Sequence, residues 1–171
     1  TDVALIENSI ARTRRETRVG DVTVRAPSID VRTVGAGGGS IAYVPELTKA
    51  LRVGPKSAVA VPGPAGHRKG GGLPTVTDAN VVLGYLPSNA KLGGDMEISR
   101  DLAVKAVSTI ANSLSVSLEE AAEGIVKIVN EWTIKPLQDL GLAKNYNAAA
   151  LRTHYLTHGG LVPFTYRADL T

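Results

Sequence analysis

The sequence contains no cysteine. That excludes disulfides, thiolate metal sites and a cysteine nucleophile. Aromatic residues make up only 4 % of the chain, with one Phe and one Trp, so platforms for stacking bases are poorly supplied. No run of eighteen apolar residues occurs, so no membrane-spanning helix is expected. What is present is ordinary for a globular chain: 43 % hydrophobic and 20 % charged residues among 171. That is enough to bury a core, and it is not a disordered composition. The length fits one domain or one piece of a larger one. The compartment stays open, with cytoplasm as the default expectation.

Net charge is +3, unevenly spread. Residues 12 to 18, RTRRETR, hold four Arg against one Glu. A phosphate patch and a solvated hairpin face both account for such a run. The shortage of aromatics favours the hairpin face, so neither nucleic acid nor membrane is expected as a partner. The chain opens TDVALIENS, on a residue that already reads as strand. It has the look of a cut piece.

The pattern predicts an α/β fold with a β-rich first third and a helical hairpin after it. DVALI reads as a buried strand, while VGDVTVRAP and SIDVRTV alternate at period two around Gly20-Asp21 and Pro27-Ser28. This β-rich part spans 1–52. Residues 53–74 carry six Gly and four Pro and read as a long ordered loop. The helical part spans 75–140. Thr77 is the expected N-cap of its first helix and Pro87 its stop. Ser99 caps the next helix, with a stripe of Leu102, Ala103, Ala106, Val107, Ile110 and Leu114. Ser117 and Glu120 form a capping box for the third. That helix has a stripe of Leu118, Ala121, Ala122, Ile125, Ile128, Val129 and Trp132, and the last two helices should pair antiparallel. Residues 141–171 return to strand and loop.

Chemistry concentrates at TVGAGGGSIAYV, residues 33–44. Gly35, Gly37, Gly38 and Gly39 can take positive φ and let a ligand approach backbone N–H groups. Successive inward N–H groups make an anion nest, to which Ser40 adds a hydroxyl. A plain tight turn is the alternative. The stretch is neither a Walker A loop nor a dinucleotide fingerprint.

Three blocks carry a resemblance: DVRTVGAGGGSIAYV, LRVGPKSAVAVPGPAG and GGGLPTVTDANVVLGYL, over residues 30–86. Their order and spacing resemble the hydantoinase A family. That family includes ATP-dependent hydantoinases, 5-oxoprolinases and subunits of acetone and acetophenone carboxylases. The resemblance implies a partial chain: a portion of an actin-like, ribonuclease-H-like ATPase domain, with ATP and Mg²⁺ or another divalent metal as cofactors. Thr1 and Asp2 then look like the end of a phosphate-facing motif. Gly159 and Gly160 match a later Gly-Gly motif near the nucleotide. The implied function is part of an enzyme that opens a cyclic amide by phosphorylating its oxygen. A ketone carboxylase subunit and a non-catalytic scaffold subunit are the alternatives. A hydantoinase B-like subunit, or the remaining segments of a hydantoinase A-like chain, is the implied partner. Alone, the chain holds at most half of an ATP site and is expected to be inactive. Two departures stand out. The family commonly carries Cys-Tyr-Gly after PGPA, where this chain has Gly66-His67-Arg68, and the resemblance fades after Trp132.

Further candidates each have a plainer reading. Asp78 at a helix start could hold a metal with Asn80 or orient a water as a catalytic group; it also complements the helix dipole. His67 could be a ligand or base, but a solvated loop histidine fits as well. His154 and His158, four apart, lack a third ligand. Ser57 has no paired base. A free amine on Thr1 could activate its own hydroxyl, though nothing else supports self-processing.

Overall fold

A computed structural model of the protein describes residues 2–4, 6–7, 10–87, 91–92, 96–141, 155–157 and 160–162. The β-rich first third forms an antiparallel ribbon. Its strands are β1 (Asp2–Ala4), β2 (Ile6–Glu7), β3 (Ile10–Ala11), β4 (Thr13–Arg14), β5 (Thr17–Val19), β6 (Val22–Val24), β7 (Ser28–Ile29) and β8 (Val31–Thr33). β1 pairs with β8, β4 with β7 and β5 with β6. These pairings nest, so the chain runs out and back around the two-residue turn Gly20-Asp21. Gly20 has φ +59° there, as tight hairpin turns require. β2 and β3 pair as a side hairpin. Neither buried apolar cluster among the described residues contains a side chain from this ribbon.

A second hairpin follows, of β9 (Ser40–Tyr43) and β10 (Arg52–Ser57), with a register shift between Val53 and Ser57. Residues 53–74 are therefore not all loop, because β10 occupies the first five. Gly54 and Pro55 hid that strand from a reading of composition. The register shift and the left-handed Gly54, φ +67°, accommodate them.

A short 3₁₀ turn (Ala65–His67) leads to α1 (Val76–Val82). Two small strands, β11 (Lys91–Leu92) and β12 (Met96–Glu97), pair with each other. Two long helices follow, α2 (Arg100–Leu114) and α3 (Leu118–Gly141). A final hairpin joins β13 (Tyr155–Thr157) and β14 (Gly160–Val162).

The N-cap of α1 is Thr75, not Thr77, and α1 ends at Val82, before Pro87, with Gly84 left-handed at φ +75°. Ser99 caps α2 through the Leu102 amide, and Ser117 with Glu120 caps α3 as expected. In α3 the amide of Ser117 donates to Glu120 Oε2 at 2.9 Å, which holds the exposed carboxyl below the usual range.

The core lies where α1, α2 and α3 meet β9 and β10. It contains Val34, Ala42, Val53, Val76, Ala79, Val107, Ile110, Ala121, Ala122 and Ile125. From the α2 stripe Val107, Ile110 and Leu114 face this core, while Ala103 packs in a second cluster with Val81, Leu86 and Ile98, and Leu102 is exposed. The α3 stripe faces the core except for Trp132, which is exposed. Ile125 is fully buried, so truncating it to Ala should cost about 2–5 kcal/mol.

Candidate functional site

The glycine stretch closes as a turn. Ser40 N–H donates to Gly37 O at 3.0 Å, and Gly37 N–H donates to Ser40 Oγ at 3.0 Å. Two clamps fix it. From the first turn of α1, Thr77 donates its N–H (2.8 Å) and its hydroxyl (3.0 Å) to Gly38 O. From the end of β10, Ala58 N–H donates to Gly39 O at 2.8 Å. The carbonyls of Gly38 and Gly39 are thus occupied, while their N–H groups donate to nothing among the described residues.

The glycines do not use their conformational freedom as the sequence suggested. None of Gly35, Gly37, Gly38 and Gly39 is left-handed. Close approach explains one of them: a Cβ on Gly39 would lie 2.8 Å from Ser57 Oγ. Gly35 faces open space.

Behind the turn, residues 58–74 fold back on themselves. Gly63 N–H donates to Ala58 O at 3.1 Å, and Gly71 packs so tightly on Gly63 that a Cβ would sit 1.9 Å from its carbonyl oxygen. Asp78 ties this loop to α1. It is fully buried. Its Oδ2 accepts from Thr75 Oγ1 (2.7 Å), Thr75 N–H (3.0 Å) and Ala65 N–H (3.3 Å); its Oδ1 accepts from Gly66 N–H (2.7 Å). Burial pushes its pKa up, against the pull of these four donors. The Thr75-x-x-Asp78 capping box was visible in the sequence; the two donors from the 3₁₀ turn were not.

Asp78 therefore has its lone pairs engaged by protein donors. Asn80 Oδ1 is buried with no hydrogen-bond partner among the described residues. Among the described residues no three His, Cys, Asp or Glu side chains gather as a metal site would need. These residues do not suit a metal at Asp78 and Asn80. His67 is partly buried rather than solvated, and its Nε2 finds no partner among the described residues. Burial lowers its pKa, with Asp78 opposing and Lys69 assisting. Ser57 Oγ accepts from Val59 N–H at 3.1 Å and has no base beside it among these contacts. Asp2 lies in β1, paired with Thr33, and Gly160 lies in β14, paired with Thr157. Thr1, His154, His158 and Gly159 fall outside the described residues. The site is thus one cluster: the glycine turn, the end of β10, the loop to Gly72 and the start of α1.

The sequence profile described as Hydantoinase/oxoprolinase matches residues 1–167. The chain belongs to the hydantoinase/oxoprolinase family. The match runs well past Trp132, further than the motifs alone suggested. Among its relatives is caprolactamase subunit alpha of Pseudomonas jessenii, 45 % identical over 72 % of this chain and 18 % of that protein. Another is the acetophenone carboxylase gamma subunit of Aromatoleum aromaticum, 42 % identical over 76 % of this chain and 18 % of that one. A nucleotide-free structure of acetone carboxylase, from work on ATP-dependent acetone carboxylation, matches with a TM-score of 0.71 at 30 % identity, over 88 % of this chain and 21 % of the other. The chain spans about a fifth of the length of the hydantoinase/oxoprolinase relatives it matches. Among the described residues no helix is long and apolar enough to cross a membrane.

Proposed function

We propose that this chain forms part of an ATP-dependent enzyme that opens a cyclic amide by phosphorylating the amide oxygen. The observation that carries this reading is the pair of backbone N–H groups on Gly38 and Gly39. They lack internal partners among the described residues, while both carbonyls are clamped. A fixed turn that offers adjacent donors without side chains suits phosphate oxygens. The clamping by Thr77 and Ala58 means the donors need not be ordered when the anion arrives. On this reading the chain contributes one part of an actin-like ATPase domain. Thr1, Asp2, Gly35, Ser40, Gly159 and Gly160 would lie along the same nucleotide or substrate path. The other part comes from remaining segments of a hydantoinase A-like chain or from a hydantoinase B-like subunit. ATP would supply the phosphoryl group that makes the amide carbon more electrophilic and the ring nitrogen a better leaving group. Water adds to that carbon and the C–N bond breaks. A second water attacks the acyl carbon of the resulting acyl phosphate, so that the original oxygen leaves on phosphate.

The amide reading draws on the caprolactamase relative, since caprolactam is a cyclic amide. A ketone carboxylase is the second reading, favoured by the 42 % identity to the acetophenone carboxylase subunit. Asp78 enters the proposal as the support of the loop that backs the turn. The test is isotopic. The complete enzyme is given ATP and a lactam labelled with ¹⁸O in its carbonyl. The label should appear in inorganic phosphate, one oxygen per ring opened. Ring opening that consumes no ATP, with all label retained in the new carboxylate, defeats the proposal, and undiminished label transfer in Gly38→Ala defeats the assigned role of the turn.

A further inference from the structure

The β5–β6 tip of the ribbon has a use that the glycine turn does not explain. Its register pairs Thr17 with Val24, Arg18 with Thr23 and Val19 with Val22. Directly paired residues share a face, so Val19, Val22 and Val24 stand together on one side. They are 63 %, 64 % and 47 % exposed. The other face presents Arg18 and Thr23. Ile10, Ile29 and Val31, nearer the base, are also exposed. The described core clusters take no side chain from the ribbon. An isolated two-stranded hairpin is marginal in water, and a clustered apolar face on one marks an interaction site.

Charge says what covers it. Residues 12–30 hold five Arg against Glu16, Asp21 and Asp30, a surplus of two, and Arg14 is engaged by the buried Asp30 at 2.6 Å. At the tip itself the pairs are long and exposed, Arg25–Glu16 at 3.7 Å and Arg18–Asp21 at 4.0 Å, and exposed pairs of this kind hold little. A second copy would bring the same positive border against itself, which like-charge repulsion opposes. Nucleic acid would meet the arginines but would leave the valines uncovered. The ribbon from 10 to 31 also has no aromatic side chain to stack on a base.

We propose that this tip docks onto a different protein chain that presents an apolar strip bordered by carboxylates. The strip covers Val19, Val22 and Val24, and the carboxylates meet the arginine border.

The test uses the full polypeptide that carries these residues, purified from its own cells as the native assembly and again alone after dissociation in salt. Native mass spectrometry should show a second kind of chain in the assembly. Hydrogen exchange at residues 17–24 should be at least tenfold slower in the assembly than in the polypeptide alone. Arg15→Glu with Arg18→Glu should cut recovery of the partner at least tenfold with unchanged helical circular dichroism, and Val22→Ser should act in the same direction. Equal exchange in the two states overturns the proposal, because the tip is then uncovered or covered by its own polypeptide. An assembly made only of copies of this chain overturns it. So does protection that appears only with added duplex DNA or anionic vesicles, or full recovery of the partner with both arginines reversed.

Discussion

Asp78 Oδ1 accepts a 2.7 Å hydrogen bond from the backbone N–H of Gly66, twelve residues earlier. With its three other donors, this bond makes Asp78 the joint between α1 and the loop behind the glycine turn. A Cβ on Gly66 would come within 3.3 Å of that same oxygen, so the loop and the carboxylate are fitted closely to each other.

Asp78→Asn should destabilise the protein. The amide keeps one acceptor oxygen, but its NH₂ would face backbone donors where a carboxylate oxygen accepted. A buried donor left without an acceptor costs about 1–3 kcal/mol. Chemical denaturation should show that loss, and turnover of the complete enzyme should fall as well because the glycine turn loses its backing. An unchanged denaturation midpoint with lost turnover would assign Asp78 to the chemistry instead.

Two groups should give opposite pH slopes. Burial raises the folded pKa of Asp78 above its ordinary 3.8. The stability it contributes is therefore full below that value and is lost as pH rises through the folded pKa. Burial lowers the folded pKa of His67 below 6.5, so its contribution is present above 6.5 and is lost as pH falls below it. Stability curves of Asp78→Asn and His67→Gln, each subtracted from wild type, isolate the two slopes. A wild type that gains on Asp78→Asn with rising pH would mean that the four hydrogen bonds outweigh burial.

Gly38→Ala separates a binding turn from a plain one. Gly38 is not left-handed, so the backbone tolerates Ala, and stability should change by no more than about 0.5 kcal/mol. Nucleotide affinity or turnover of the complete enzyme should fall about tenfold, which is about 1.4 kcal/mol. Calorimetry and steady-state kinetics on one preparation measure both quantities.

Gly71→Ala and Gly72→Ala form a controlled pair. A Cβ at Gly71 would meet Gly63 O at 1.9 Å, and at Gly72 it would meet nothing within 4 Å. Neither is left-handed. Overpacking should cost Gly71→Ala about 1–3 kcal/mol or more, because a backbone atom is the obstacle. Gly72→Ala should be neutral or slightly stabilising. Melting temperatures of the pair read the difference.

Arg68→Gly should stabilise the chain. Arg68 sits at φ 58°, in the left-handed region, at the place where the family resemblance leads one to expect Gly. Relief of that conformation is worth about 1 kcal/mol, less the added freedom of Gly in the unfolded chain. The ion pair given up, Arg68–Glu97 at 3.6 Å, is exposed on both sides and subtracts little. A rise in melting temperature is expected; a fall would show that the guanidinium has a partner of greater weight.

The sequence by itself determined whatever depends on neighbours within one turn or one strand. Ser99, Ser117 and Glu120 marked helix starts because caps act over three residues. Gly20-Asp21 marked a hairpin because a two-residue turn needs one positive φ in a fixed place. The glycine blocks marked the family because their spacing survives in a single chain. The choice between Thr75 and Thr77 as N-cap was only partly local, since Thr75 has Asp78 at capping-box spacing but the use of Thr77 elsewhere shows only in the fold. Both are threonines two residues apart, and Thr77 is drawn off by Gly38 O, which lies 39 residues away. Asp78 read as either a metal-binding or catalytic carboxylate or a complement to the helix dipole, because two of its donors come from Ala65 and Gly66, which the sequence places twelve and more residues away. The alternation of the first third predicted strands, but alternation reads the same in a core sheet and in an outlying ribbon. Only the packing of α1, α2 and α3 onto β9 and β10 left the valines of β5 and β6 outside the core, because burial is decided by what the rest of the chain brings near.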